Sequence, residues 1–289
     1  MNVSVIIPTL NAERWISQQL YMLLSQTVKA EIFVIDSDST DRTVSIAASH
    51  GERVRLLQFP RENFDHGGTR DFALRQSSGD IVLFFTQDAI PADTNCIEKL
   101  LSAFSSEDVA AVYGRQIAHP EAPEYEKLTR QFNYPDQPRI WREVDIPYYG
   151  VKSYFFSNVC SAYRREAYFA VGGFDTPIIC NEDMMIAAKL LHAGYALAYT
   201  PDAAVYHSHR YTLGEEYRRN KKIGLVMEQY RPRLTGAEAD AEGWRMLRFV
   251  GGELARRRQY GALLSFYTHV GVRFAGNRAG KHEGRKRQV

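Results

Sequence analysis

Five short stretches hold the residues best suited to chemistry. Asp36, Ser37, Asp38, Ser39, Thr40 and Asp41 crowd together after an apolar run. Carboxylates and hydroxyls at the end of such a strand suit the reading of a nucleotide's base and ribose, because open α/β sheets place ligands at the carboxyl ends of their strands. Gly67-Gly68-Thr69-Arg70 sets a planar cationic fork, a good phosphate binder, beside paired glycines. Thr86-Gln87-Asp88 follows the strongly apolar I-V-L-F-F. A hard oxygen ligand there suits Mg²⁺ or Mn²⁺, which take few carboxylates plus phosphate oxygens. Asn181-Glu182-Asp183 opens a helical pattern, and a helix N-terminus keeps a carboxylate ionised, as a general base must be. His207 and His209 alternate, so in a strand both point to one face, where a neutral imidazole can complete a metal shell begun by Asp88.

Each stretch also has a plainer explanation. Asp88 precedes Ala89-Ile90-Pro91 and fits a turn. Glu182 and Asp183 fit any first helical turn, where acids complement the dipole. The histidines fit a polar strand end, paired glycines mark turns, and Arg70 fits a surface. Cys180, beside the acid pair, reads as a structural thiol.

The elements that must hold these residues follow from periodicity. Val3–Ile7 is a near-continuous apolar run, as in a strand covered on both faces, and Pro8 is expected to end it. Asn11 reads as a helix N-cap before Trp15, Ile16, Leu20, Leu23 and Leu24. Further strands are expected over Ile32–Ile35, Val54–Phe59, Asp80–Asp88 and Val109–Gly114, with Ser39 or Thr40 capping a helix closed by Gly51 and another helix over Cys96–Phe104. This alternation predicts a mostly parallel, doubly wound sheet. Residues 119–150 read as long, aromatic-rich loops around a helix over Tyr125–Phe132. Beyond them come a helix over Glu182–His192, short strands over Ala196–Tyr199 and Ala204–Tyr206, and helices over Leu213–Tyr230 and Glu242–Phe274. Tyr134, Trp141, Tyr148, Tyr149, Tyr154, Phe155 and Phe156 offer faces for stacking on sugar rings, or for ordinary packing.

The 289 residues are 45% hydrophobic and 24% charged with net charge +2, an ordinary globular composition. Three scattered cysteines without a C-x-x-C suggest neither disulfides nor zinc and fit a reducing compartment. No signal peptide or membrane span is expected. From Arg245 onward eleven Arg or Lys face two acidic residues among apolar side chains, a basic amphipathic pattern that suits an anionic membrane surface or a helix packed on the rest of the chain. No nucleic-acid motif accompanies the charge, so no nucleic-acid partner is expected. P-T-L-N-A-E after the first strand excludes the glycine fingerprint of a dinucleotide-dependent oxidoreductase.

Taken in order, V-S-V-I-I-P-T-L-N, V-I-D-S-D-S-T-D, T-Q-D-A, G-G-F-D and N-E-D resemble a family-2 inverting glycosyltransferase of the GT-A type over about residues 3–210. F-D-H-G-G-T-R followed by F-F-T-Q-D-A-I-P is similar to the rhamnosyltransferase-like branch. The resemblance implies an α/β GT-A nucleotide-diphosphosugar transferase fold: a mostly parallel mixed sheet flanked by helices. It implies a catalytic domain over 1–212, with a nucleotide-sugar half (1–117) and an acceptor half (118–212), and a basic helical extension over 213–289. By the same resemblance Asp183 stands at the catalytic base position beside Glu182. Pro8, Thr9, Asn11, Asp36, Ser37, Asp38, Gly68, Arg70 and Gln87 would bind the donor. Asp88 with His207 or His209 would bind Mg²⁺ or Mn²⁺, and Trp141, Tyr149 and Asn181 the acceptor. Ser37 stands where the family has a second aspartate, Asp38 where it has glycine, and Thr86 where it has the first metal carboxylate. The implied reaction moves a sugar, rhamnose by that branch, from a dTDP- or UDP-linked donor to a glycan or polyprenyl-diphosphate-linked acceptor in surface polysaccharide synthesis. Its implied place is cytoplasmic, on the inner face of the cell membrane. A nucleotide-sugar-binding module or a nucleotidyltransferase on the same fold is the alternative.

Overall fold

The computed structural model describes residues 1–236 and 240–287. In chain order the elements are β1 (Val3–Thr9), α1 (Glu13–Leu24), β2 (Glu31–Asp36), α2 (Thr43–Ala48), β3 (Val54–Gln58), α3 (His66–Gln76), β4 (Ile81–Phe85), β5 (Ile90–Pro91), α4 (Cys96–Ser102), β6 (Val109–Ile117), α5 (Glu124–Asn133), β7 (Arg139–Trp141), α6 (Ile146–Tyr149), β8 (Cys160–Arg164), α7 (Arg165–Ala170), α8 (Glu182–His192), β9 (Ala196–Tyr206), α9 (Leu213–Gln229), α10 (Asp240–Arg256) and α11 (Tyr260–Arg287). Among the described residues nine strands form one mixed sheet, ordered β3-β2-β1-β4-β8-β6-β9-β5, with β7 also pairing β9. β1 to β4 are mutually parallel where they pair, and β8 runs antiparallel between β4 and β6.

The apolar runs are continuous because both faces of the sheet are covered. Alternate residues feed opposite cores. Val5, Ile7, Leu83 and Phe85 pack with Ile16 and Leu20 of α1, whereas Ile6, Val82 and Phe84 pack with Leu74 of α3 and Ile186 of α8. Phe84 is wholly buried, with Tyr163 and Phe174 ring centroids 5.7 and 5.6 Å away. Truncating such a side chain to Ala costs roughly 3–5 kcal/mol.

Several boundaries differ from the expectation. Pro8 does not end β1. Thr9 O accepts from Ser37 N on the β2 side, so Pro8 faces the other side, where pairing with β4 has already stopped at Ile6; its missing N–H breaks no ladder there. Asn11 is not the cap of α1. It has φ 51°, and Ala12 takes the cap position. The start of α1 is instead held by the loop after β2: Ala12 N donates to Thr43 Oγ1 (2.7 Å) and Glu13 N to Asp41 Oδ2 (3.0 Å). α2 therefore begins at Thr43, not after Ser39 or Thr40. β4 stops at Phe85 and leaves Thr86-Gln87-Asp88 in a turn. The two short strands expected after Gly194 are one strand, β9, with a register shift that places Thr200 opposite Gly114 and Ala204 opposite Arg115.

The carboxyl-terminal helices lie against the rest of the chain. The helix expected over Glu242–Phe274 is two, α10 and α11, broken near Arg258 (φ 58°). α11 packs backbone to backbone on α9: a Cβ at Gly280 would stand inside the Lys221 carbonyl oxygen, and one at Gly276 would meet Tyr217 O at 2.5 Å. Glu216 is gripped by Arg273 through two bonds of 2.6 and 2.7 Å, and Lys221 pairs with Glu283 at 2.8 Å. Among the described residues no helix is long and apolar enough to cross a membrane. Residues 237–239 and 288–289, all within the predicted extension, lie outside the described residues.

Candidate active site

The turn after β4 and the segment after β9 meet at one group of side chains. His207 Nε2 lies 3.4 Å from Asp88 Oδ1, and His209 Nδ1 lies 3.5 Å from Asp88 Oδ2. One ligand atom from each residue lies within 4.8 Å of the other two. β9 ends at Tyr206, so the histidines stand just beyond the strand, yet both reach Asp88.

The surroundings of this group set its protonation. Arg130 Nη1 donates to Gln116 Oε1 (2.6 Å), and Arg only donates. The amide oxygen of Gln116 therefore also faces His207 Nδ1, 2.9 Å away, which must carry the proton. Gln116 Nε2 donates to Ser157 Oγ (2.9 Å) and to Tyr134 Oη. His207 Nε2 is left with its lone pair turned on an ionised carboxylate, an arrangement that a cation between them relieves. Burial pushes His207 down, and burial with the neighbouring His207 pushes His209 down to about 4, so both imidazoles are neutral ligands at physiological pH. Two imidazoles and one carboxylate fit Mn²⁺ or Mg²⁺ completed by phosphate oxygens.

A second acid pair opens α8. Asn181 adopts the left-handed conformation (φ 58°), and Glu182 and Asp183 follow on the first turn. Glu182 lies 3.2 Å from Arg70 Nη1, both nearly fully buried, and accepts from Asn158 Nδ2 at 3.2 Å. Asn158 Oδ1 accepts from Tyr163 Oη (2.7 Å) and Ser161 Oγ (3.0 Å), which aims its amide donors at Glu182. Against its burial, Arg70 first and His66 second hold Glu182 down and ionised. Asp183 accepts from Asn158 N (3.2 Å) and Met184 N (2.8 Å). These bonds do not offset its burial and the charge of Glu182, which push Asp183 up to about 7. The expectation that the helix N-terminus governs this carboxylate is corrected: burial and the adjacent anion dominate. Removing Arg70 alone would strand a buried charge, at roughly 3–5 kcal/mol.

Asp88, Asp183, Arg70 and Gln87 line one cleft of about 600 Å³. A second chamber of about 330 Å³ shares Asn181, Asp183, His207, His209 and Arg219 with it and is walled by Tyr134, Phe155 and Phe156. Asp183 and the histidines thus stand at the junction of two chambers. Gln87 clamps the backbone of Leu10, accepting from its N (2.8 Å) and donating to its O (3.2 Å).

Other predicted residues lie outside these walls. Asp36 is fully buried and accepts from Thr9 Oγ1 (3.1 Å), Ser39 Oγ (2.5 Å) and Ser39 N (2.9 Å). Ser37 is buried with its hydroxyl unpartnered. Asp38 (φ 56°) accepts from Arg61 N, and Asn11 Oδ1 accepts from Thr40 N. Pro8, Thr9 and these residues form the crevice where β1 and β2 end. Gly68 N donates to Asp65, the cap of α3, and Gly67 packs on the Asp175 carbonyl, so both glycines serve the packing of α3. Trp141 and Tyr149 do not reach the Asp183 chamber: Arg139 lies 3.9 Å over each ring, and they line a separate hollow. Sequence reasoning missed Gln116, Arg130, Asn158 and Tyr211, and the α9 residues Arg218, Arg219 and Lys222. For the last three the only signal was their spacing on one helical face.

The chain is similar to known proteins both in sequence and in fold. The model of the family "Glycosyl transferase family 2" matches residues 4–171, more than half of the chain. The O-antigen chain rhamnosyltransferase RfbN of Salmonella typhimurium is 36% identical over 286 residues, covering 98% of this chain and 90% of that protein. WbaN of Salmonella anatum, described in the same words, is 37% identical over 285 residues, covering 96% and 89%. Among solved structures, the mannosyltransferase PcManGT from Pyrobaculum calidifontis, in complex with GDP-Man and Mn²⁺, superposes with TM-score 0.67 at 19% identity over 98% of this chain and 86% of that one. S. aureus TarS 1–349 in complex with UDP-GlcNAc gives 0.59 at 17% identity over 99% and 92%. These two likenesses show the fold, a GT-A architecture, and the sequence matches show the rest: the chain belongs to glycosyl transferase family 2 and is a glycosyltransferase.

Proposed function

We propose that the protein transfers rhamnose from a dTDP- or UDP-linked donor to a lipid-diphosphate-linked glycan acceptor in surface polysaccharide synthesis, with inversion. The observation that carries the reading is the placement of Asp183, poised near neutral pH, on the same cleft as the Asp88–His207–His209 group. Similarity to two O-antigen chain rhamnosyltransferases supports the sugar and the product class. In the proposed step Asp183 takes the acceptor hydroxyl proton as the acceptor oxygen bonds to the anomeric carbon. The bond from that carbon to the donor's phosphate oxygen breaks, and its electron pair leaves with the nucleoside diphosphate. Glu182, held ionised by Arg70, would keep Asp183 basic rather than react itself. Asp88, His207 and His209 would hold Mn²⁺ or Mg²⁺, which when bound supplies positive charge for the diphosphate. Pro8, Thr9, Asn11, Asp36, Ser37 and Asp38 would take the nucleoside end, and Asn181 with Tyr134, Phe155 and Phe156 the acceptor sugar. Orientation across the two chambers would supply much of the remaining rate. In this reading 1–212 carries the chemistry, and 213–289 completes its cleft through α9.

The test is release of nucleoside diphosphate from dTDP- and UDP-rhamnose in the presence of a glycosyl-diphosphate lipid. Turnover that needs the acceptor, stops with chelator and returns with Mn²⁺ is expected. Binding of the sugar nucleotide with neither transfer nor hydrolysis would favour the binding-module alternative.

The membrane arm of the reading rests on α11. With one face pinned to α9, the other exposes Tyr260, Leu264, Tyr267 and Phe274 at helical spacing, with Arg278 over the Phe274 ring. An apolar stripe with a cation at its edge suits the inner surface of an anionic bilayer, where a lipid-linked acceptor would be met. Wild-type protein is expected to sediment with vesicles containing phosphatidylglycerol and not with neutral phosphatidylcholine. A Leu264→Glu, Phe274→Glu variant is expected to lose that binding, and its unchanged sedimentation would count against the docking face.

A further inference from the structure

α9 pairs most of the charges on its buried side. Glu216 is held by Arg273, Lys221 by Glu283 and Glu228 by Arg285. Its cleft side differs. Arg218, Arg219 and Lys222 are exposed and line the cleft, and among the described residues none of the three makes a direct ion pair with a carboxylate, although Glu215 feels the charge of Arg218. Arg219 is steadied over the Tyr211 ring, 5.5 Å from its centroid, and reaches both chambers.

The other charges of the cleft are already committed. Asp88 belongs to the histidine group and Glu182 to Arg70. Glu215 closes the cap of α9 through Thr212. Asp183 is held partly neutral. Three cations therefore outnumber the acids left to answer them, Asp183 and the nearby Glu215. A sugar alone carries no charge to answer them, and a single carboxylate answers one. Lys222 lies one helical turn from both Arg218 and Arg219, and all three line the cleft, so their long side chains can reach two linked phosphoryl groups held in it.

We propose that Arg218, Arg219 and Lys222 form a diphosphate subsite on α9, separate from the Asp88–His207–His209 group. The proposal deepens the transferase reading and rests on it for the source of the ligand, which is either the donor's diphosphate or that of a lipid-linked acceptor. The site places a diphosphate against α9 while the sugar it carries points toward Asp183.

The test uses the full chain and a variant combining Arg218→Gln, Arg219→Gln and Lys222→Gln, with Arg219→Lys as a charge-preserving control. Inorganic pyrophosphate without metal probes the subsite itself by calorimetry. At least tenfold weaker binding is expected in the triple variant and near-normal binding in Arg219→Lys. Two further arms identify the source. A matching loss for dTDP or UDP assigns the subsite to the donor. A rise in KM for a glycosyl-diphosphate lipid, but not for the same sugar on a neutral alkyl chain, assigns it to the acceptor. Equal pyrophosphate binding by wild type and triple variant, or none by wild type, overturns the proposal. Loss of pyrophosphate binding in the triple variant of a protein that transfers no sugar would leave the subsite standing and remove the transferase reading instead.

Discussion

Asp183→Asn is expected to lower sugar transfer by roughly 10³-fold, the usual worth of a positioned general base, while leaving donor binding within a few-fold of wild type. The amide keeps the shape of the carboxylate and can still accept from Met184 N or Asn158 N, but it cannot take a proton. The same substitution is expected to stabilise the fold. Burial and Glu182 raise Asp183 to about 7, above the ordinary carboxylate value near 4. The folded chain therefore holds this proton more tightly than the unfolded chain. Stability from this group is fully present below about pH 4 and is lost as the pH rises toward 7. Asn escapes that loss, so its gain in Tm should be largest near pH 8 and vanish toward pH 4. A variant with unchanged turnover, or one destabilised at pH 8, would refute the role given to Asp183.

Asp88→Asn is expected to remove metal-dependent binding of nucleoside diphosphate. It deletes the anion toward which both imidazoles turn, and the remaining ligands are neutral. Gln116→Leu tests the layer behind. It frees Nδ1 of His207 and leaves Arg130 without its amide acceptor, so the imidazole loses its fixed tautomer. Loss of such an outer partner costs roughly 10–100-fold in metal affinity. Mn²⁺ titration followed by electron paramagnetic resonance reads both variants directly. Wild-type Mn²⁺ affinity in Asp88→Asn would place the ion elsewhere.

The first half of the sheet was legible because its strands are apolar on both faces and end in polar clusters, as Ile81–Phe85 followed by Thr86-Gln87-Asp88 illustrates. Strand ends were less legible. Whether Pro8 stops β1 depends on which neighbour its side of the strand faces, and that is a property of the sheet. The cap expected at Asn11 is supplied by Asp41 and Thr43 from another loop, a contact that local spacing does not encode. Within the site, the Asp88–histidine and Glu182–Asp183 clusters stood out by residue type. The α9 cations did not, since any solvated basic helix face has the same spacing. Aromatic content likewise does not tell which faces are free: Arg139 lies over the rings of both Trp141 and Tyr149. The ionisation of Asp183 was misjudged because the helix dipole is local and visible in sequence, whereas burial is not.

One carboxylate must lose its proton before each transfer, and the pH dependence of kcat at saturating donor, acceptor and Mn²⁺ reads that event. The predicted profile climbs tenfold per pH unit below about 7, levels off above it, and disappears into a low, flat residual rate in Asp183→Asn. A wild-type profile that is level from weakly acidic to weakly alkaline pH would contradict it.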